Sequence, residues 1–430
     1  MVVAWPLTLR WPLGLSVMTS FRNLSARTAL ALRAGRIAGR VSRRAGIGAG
    51  VTIGGRVALA VAPGALAELA GGREAVVVSG TNGKTTTTRL LAAALAARGG
   101  AVVSNETGAN LASGLASALS SGDPSARPVL EVDEAALPRV IESLDPAVVI
   151  LTNLSRDQLD RYGEVGRVAA RWRDMLAARE GQLVIANAAD PLVAWAAERS
   201  HTVWVDTGLT WREDATACPA CGALLDWKGG WYGSACGFTR PLPDVAVRDG
   251  LVEASCGGRV TLSLSLPGRW NIANATMALA AARELGVPME DAAAAMAGVR
   301  EVGGRQATWR LPDGRRARLL LAKNPAGWTE VLRYLSETES GVVVALNARV
   351  ADGKDPSWLW DVPFELLQGR PVAASGERHL DLAVRLRYAE VPFVDEPDPL
   401  RAAERIGGDD VEVVATYSAF VALVRRLRSS

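Results

Sequence analysis

The sequence predicts an α/β protein: a phosphate-loop domain with a small cysteine-containing insertion, followed by a second Rossmann-like α/β domain. Three observations carry this. From Ala75 onward, short apolar runs alternate with amphipathic segments, the pattern of parallel strands joined by crossover helices. The first run leads into Gly80-Thr81-Asn82-Gly83-Lys84-Thr85, which opens a helix at once. After a Gly-Gly-Arg turn at 303–305, a second alternating stretch begins.

Taken in order, residues 1–50 form a basic N-terminal segment, with no acidic side chain before Glu68. Arg22, Arg27, Arg33, Arg36, Arg40, Arg43 and Arg44 fall close together on a helix-like stretch. That stretch reads first as a solvated face, and second as a dock for an anionic membrane surface or a pyrophosphate-bearing substrate. The central domain spans 51–303, with strands expected near 75–79, 101–104, 128–132, 147–153 and 182–186. Helices are expected near 84–98, 109–119, 134–144, 164–179 and 190–199. Residues 206–243, rich in Gly, Trp and Cys with little periodicity, read as the insertion. Two β-like runs follow, Val245–Ala254 and Arg259–Leu266, then a helix over Asn271–Leu285 that stops at Gly286 and Pro288. The C-terminal domain, 304–430, has strands expected near 318–322, 341–347, 371–374 and 411–415.

Composition sets the bounds. With 430 residues, 49% apolar and 22% charged, the chain is long enough for two or three packed domains and is neither disordered nor fibrous. A net charge of +3 gives no electrostatic case for nucleic acid as a partner. No run reaches the length of a membrane span, and Arg10 interrupts the first apolar patch without a secretory cleavage site, so the expected location is cytoplasmic. Met18 is an alternative start to Met1.

The loop at 80–85 carries the chemistry. Its glycines let backbone N–H groups close on phosphate oxygens, the helix N-terminus adds its dipole, Lys84 supplies a point charge, and Thr85 offers magnesium a hydroxyl. Val78 stands where the longer P-loop pattern has its first glycine, so the loop is a shortened variant. Only Lys84, Lys228, Lys323 and Lys354 are lysine among 48 basic residues, which makes a lysine at this position informative. Gly80, Thr81, Asn82, Gly83, Lys84, Thr85 and Thr86 are the expected nucleotide contacts. Glu131, at the end of the third strand, suits a metal-binding carboxylate; a helix N-cap cluster of acids is the other reading.

This loop resembles that of the Mur ligase family, ATP-dependent enzymes that join amino acids to peptidoglycan precursors. Other segments follow in the family's order. By the resemblance Glu131 holds magnesium. Thr152–Asp160 is similar to a segment in which the ligases carry a metal-binding histidine, replaced here by Gln158. Asn187–Pro191 is similar to a further element. Gly268–Asn274 points to Asn271 as the adenine contact, and Gly304-Arg305 to Arg305 as an arginine reaching the nucleotide. The fold implied is a Mur ligase-like P-loop ATPase domain followed by the second α/β domain.

Departures narrow the likeness. About 75 residues precede the loop, too few for the uridine-nucleotide domain of peptide-adding ligases, and no lysine lies between Lys84 and Lys228 to serve as a carbamylated metal ligand. The chain resembles the MurT family over roughly 22–428, most specifically at Lys323–Gly327 and Ala351–Trp358. That resemblance implies the synthetase subunit of lipid II isoglutaminyl synthase, working with a GatD-type glutaminase as a heterodimer at the inner face of the cytoplasmic membrane. ATP and magnesium would activate the α-carboxylate of the stem-peptide D-glutamate as an acyl phosphate, which ammonia from the partner displaces. Lys84 and Glu131 would serve that chemistry. Asp355, with Asp352 second, would orient the partner's catalytic histidine. The chain's own cysteines and its two histidines, His201 and His379, offer no glutaminase context.

Cys218-Pro219-Ala220-Cys221 is a knuckle of the kind that clamps zinc. Cys236 follows, but Gly233 stands where the MurT pattern has another cysteine, leaving Cys256 as the expected fourth ligand. Zinc and free cysteines in a reducing compartment both remain open at this stage. Two further functional readings are a stand-alone Mur-type or folylpolyglutamate-type ligase and a nucleotide-sensing scaffold without turnover. The second draws on Gln158 and on Leu320, which stands where many ligases place an acid near the ribose.

Overall fold

A computed structural model describes residues 24–44, 51–105, 109–157, 164–209, 211–228, 230–300, 302 and 308–429. Arg22, Gln158 and Arg305 lie outside the described residues, as do both start methionines.

The central sheet is built from β1 (Val76–Ser79), β2 (Val102–Val103), β3 (Arg127–Glu131), β4 (Val148–Leu151), β5 (Leu183–Asn187) and β6 (His201–Asp206). Beyond a small hairpin, β7 (Asp226–Trp227) and β8 (Trp231–Gly233), it is extended by β9 (Val245–Arg248), β10 (Leu251–Ala254) and β11 (Arg259–Thr261). The order is β11-β10-β9-β6-β5-β4-β1-β3-β2. Strands from β2 to β6 run parallel, β9 joins β6 in parallel, and β10 and β11 turn antiparallel. The run expected as one strand over 245–254 is therefore a hairpin. It turns at Asp249-Gly250, whose φ values of 49° and 81° are those of a tight Asp-Gly turn.

Strand residues alternate between two cores, as a sheet covered on both faces requires. Val77, Leu130 and Val149 pack towards helices Leu137–Leu144 and Val165–Ala177. Val76, Val78 and Ile150 pack towards helices Lys84–Ala96 and Arg269–Glu284. The latter helix is almost entirely buried because it presents Ala on nearly every side.

The second sheet contains β12 (Thr308–Arg310), β13 (Arg316–Leu321), β14 (Gly341–Ala345), β15 (Val372–Ser375), β16 (Val394–Asp395) and β17 (Val411–Ala415), ordered β12-β13-β17-β14-β15-β16. Only β12 is antiparallel. Helices Pro325–Ser336 and His379–Tyr388 cover one face, and Pro399–Arg405 and Tyr417–Ser429 the other. The insertion has its own small core, in which Trp231 stacks on Phe238 at 4.9 Å and donates through Nε1 to the Ala188 carbonyl at 2.9 Å.

Candidate functional site

β1 sits where the chain crosses from one half of the central sheet to the other, with β3 on one side and β4 on the other. At such a switch point the C-terminal strand ends open into a crevice. The 80–85 loop lies there and turns through left-handed glycine conformations, φ 141° at Gly80 and 85° at Gly83. No side chain fits at either. A Cβ on Gly80 would strike Thr152 Oγ1, and one on Gly83 would strike the Asn274 amide.

The loop borders a cavity of about 600 Å³, enclosed by both domains. Lys84 Nζ donates to the Gly80 carbonyl, to the Thr81 carbonyl at 3.2 Å and to Glu134 Oε2 at 2.9 Å. Burial pulls the ammonium's pKa down, but Glu134 and Glu131 outweigh it, so Lys84 stays charged above the ordinary lysine range. Thr85 Oγ1 donates to Glu131 Oε2 at 2.5 Å, and Asn110 reaches the other oxygen at 3.4 Å. Asn105 clamps the Glu131 backbone at both its N–H and its carbonyl, each at 2.8 Å, which fixes the strand end. A hydroxyl and a carboxylate at this spacing form an oxygen donor set suited to magnesium.

Thr81, Asn82, Thr86 and Asn271 also line the cavity. Asn271 donates to the Pro267 carbonyl at 2.6 Å, and Asn274 lies against Gly83. Asn187 and Asp190 line the cavity from the end of β5 and the turn that follows it. Asn187 Nδ2 donates to the Thr152 carbonyl at 2.9 Å, while Asp190 caps the helix Pro191–Ala197 and accepts the Leu154 N–H at 2.7 Å. Burial pushes the Asp190 carboxyl up to about 6 despite these N–H donors.

Three features escaped the sequence reading. Glu134 is the direct partner of Lys84. Asp157 lies at the cavity with its carboxyl pushed by burial to about 6, Lys323 pulling it the other way. Asn82 and Asn324 exchange amide hydrogen bonds at 3.1 and 3.2 Å, tying the phosphate loop to the second domain across 242 residues of sequence. Arg156 makes a second tie, pairing with Asp214 in its own domain and with Asp361 at 3.1 Å in the other. Leu320 lines the cavity as an apolar residue.

The two aspartates expected to act catalytically stand apart from this cavity. Asp352 is buried, accepting from Arg349 N, Ser418 N and Ser418 Oγ at 3.0, 2.7 and 2.5 Å. Asp355 is exposed and, among the described residues, accepts only from its own turn, Ser357 N and Oγ both at 2.9 Å, which holds its carboxyl below the usual carboxylate range.

Cys218, Cys221 and Cys236 bring their sulfurs within 4.8 Å of one another. Cys256 does not join them. It lies in the turn between β10 and β11, against the Arg283 guanidinium, which corrects the expectation of a fourth thiolate there. The Cys218–Cys236 sulfur separation of 3.8 Å equals the edge of a tetrahedral zinc–thiolate site, about 3.8 Å for bonds of about 2.3 Å.

Residues 78–217 match the Mur ligase middle domain and residues 321–420 the MurT ligase C-terminal domain. The chain is 31% identical to the MurT subunit of lipid II isoglutaminyl synthase (glutamine-hydrolyzing) from Streptococcus pneumoniae, over 93% of this chain and 96% of that one. It is 30% identical to the Staphylococcus aureus MurT subunit over 87% and 91%. The chain belongs to the MurT family. The fold agrees. MurF from Acinetobacter baumannii superposes with a TM-score of 0.65 at 15% identity over 87% of this chain and 80% of that one. A pseudomurein peptide ligase from Methanothermus fervidus gives 0.63 at 19% identity, over 83% and 79%. This MurT-family chain therefore keeps the two-sheet Mur ligase architecture.

Proposed function

We propose that the chain is the ATP-dependent synthetase subunit that amidates the α-carboxylate of D-glutamate in lipid-linked peptidoglycan, using ammonia delivered by a glutaminase subunit. The observation that carries this is the pairing of Lys84 with Glu134 and of Thr85 with Glu131 at the mouth of a cavity closed by a second domain. Loop N–H groups and Lys84 would cradle the phosphates. Thr85 and Glu131 would hold magnesium, which screens phosphate charge. A substrate carboxylate oxygen attacks the γ-phosphorus and ADP leaves. Ammonia then adds to the acyl carbonyl, phosphate leaves and a proton is released, giving the primary amide. Enclosure between two domains keeps water from the acyl phosphate. Arg305 belongs to this reading as a nucleotide contact but lies outside the described residues.

Asp355 suits work on a partner rather than at this cavity. It is exposed and lies five residues before Trp360 in the chain; Trp360, Val384 and Tyr388 are large side chains left open to solvent, with Trp360 and Tyr388 in edge contact at 5.2 Å. An exposed acid with no ion-pair partner of its own among the described residues would fix the tautomer of a glutaminase histidine. The three clustered sulfurs support a zinc site with one position not filled by thiolate. Metal analysis of protein purified under reducing conditions should find zinc that is lost with Cys218→Ser and retained with Cys256→Ser; metal unaffected by Cys218→Ser would refute the site.

The test is ADP formation by the purified chain. It should require lipid II and either ammonium or the glutaminase with glutamine. Turnover driven by an amino acid instead would favour a stand-alone ligase, and no substrate-dependent turnover a nucleotide-binding scaffold.

A further inference from the structure

The helix Ala26–Arg44 is held to the body by one face only. Thr28, Ala31, Leu32, Gly35, Gly39 and Ser42 are buried, and Gly35 meets Gly54 of the helix Val51–Val61 backbone to backbone. Glu68 fixes its first turn, accepting from Ser25 N at 2.8 Å and Thr28 Oγ1 at 2.9 Å. The fold therefore makes no demand on the opposite face. Yet that face carries Leu30, Ile37 and Val41 at 63%, 59% and 61% exposure.

Their spacing is seven and then four residues, which places them in one stripe. Arg33, Arg40 and Arg44 repeat the same spacing three residues on, which lays a basic stripe beside the apolar one. Among the described residues none of these three arginines forms an ion pair, and no acid occurs in the sequence before Glu68. Next to them a groove of about 280 Å³ runs between this helix and Ala112–Ser121, with Arg36, Arg40 and Arg43 on one wall and Ser117 and Ser120 on the other. A solvated helix face needs arginines but not three exposed aliphatic side chains. A protein interface would ordinarily answer such a concentration of positive charge with acids.

We propose that this face of the helix Ala26–Arg44 docks on an anionic phospholipid bilayer, with Leu30, Ile37 and Val41 entering the headgroup–acyl boundary and the arginines meeting lipid phosphates. Apolar side chains flanked by guanidinium groups are the composition of an interfacial helix. Among the described residues no helix is long and apolar enough to cross a membrane, and the proposed contact is an in-plane one. The inference stands apart from the amidation reading, because vesicle binding is measured without turnover.

Co-sedimentation of the full chain tests it. The wild type should bind phosphatidylglycerol-containing vesicles, bind phosphatidylcholine vesicles far more weakly, and be released by salt. The triple substitution Arg33→Gln/Arg40→Gln/Arg44→Gln should weaken binding about a hundredfold, at roughly fivefold per arginine. Leu30→Ser/Ile37→Ser/Val41→Ser should weaken it roughly tenfold or more with the charge unchanged. Unaltered thermal melts are expected, since all six side chains are exposed. The proposal fails if phosphatidylglycerol vesicles do not retain the wild type at low salt or if binding ignores salt and headgroup charge. It fails equally if both triple variants bind as the wild type does, which would put the contact elsewhere in the chain. If the serine variant instead converts a self-associated wild type to monomer, the face is a contact between copies and the lipid proposal is wrong.

Discussion

Both domains place carboxylates at or beyond the C-terminal ends of parallel strands, but the two sets live in opposite surroundings. At the phosphate loop, Glu131 and Glu134 are buried, and each is matched by a residue of the loop, Thr85 or Lys84. In the loop after β14, Asp352 is sealed by Ser418, and Asp355 is exposed, held only by Ser357 two residues away. In the first arrangement each acid already has its partner within the loop. The second leaves one acid free to meet a group from outside the chain.

The largest effect should come from breaking the buried pair. Lys84→Met should lower turnover by a hundredfold or more, as loss of a preorganised charge-stabilising donor does. Because it strands the Glu134 carboxylate in a buried site, it should also lower the melting temperature. Adding Glu134→Gln should restore the melt but not the activity. Turnover near wild type in Lys84→Met would dissolve the contrast by showing that the loop holds no phosphate.

The exposed acid makes the converse prediction. Asp355→Asn should slow glutamine hydrolysis by the two-subunit complex by about tenfold or more, since a histidine without its orienting acid loses most of its activity. Ammonia-driven amidation and thermal stability should stay at wild-type level. Equal loss of both activities would place Asp355 in the synthetase site.

A smaller effect tests the tie between the regions. Asn324→Ala removes both amide hydrogen bonds to Asn82. We expect a several-fold rise in the KM for ATP, because Asn82 then loses its direct hold on the second domain, and a small drop in melting temperature, because Asn324 also caps the helix Pro325–Ser336. An unchanged KM would mean that the Asn82–Asn324 pair contributes nothing to loop geometry.

The smallest concerns Asp157. Its folded pKa of about 6 exceeds the ordinary 3.8, so the folded state binds the proton more tightly than the unfolded chain. Stability is therefore fully present below about 3.8, is lost as pH rises from there through 6, and stays reduced above. Asp157→Asn should raise the melting temperature by a few degrees at pH 7.5, about 1 kcal/mol after discounting for partial solvent access. The gain should vanish between pH 6 and 4; a gain independent of pH would contradict the burial of this carboxyl.

The contrast between the regions also explains what the sequence could show. The phosphate loop was legible because its geometry is local, a strand running into two glycines and a lysine in a chain that otherwise uses arginine. The Asp249-Gly250 turn went unread, because the apolar residues on either side of it read as one continuous strand. β6 was missed because only Val205 along it is fully buried, so its six residues lack a clean pattern. Asn82–Asn324 and Lys84–Glu134 depend on how the sheets bring distant segments together, and no spacing encodes that. Cys256 looked like a zinc ligand because a count of cysteines carries no distances.

The most direct test is isotopic. With the substrate α-carboxylate labelled with oxygen-18, ammonia-driven turnover by the purified chain should transfer one labelled oxygen to each inorganic phosphate released. Amide formed with unlabelled phosphate would show that the carboxylate never attacked the γ-phosphorus and would contradict the synthetase assignment of this cavity.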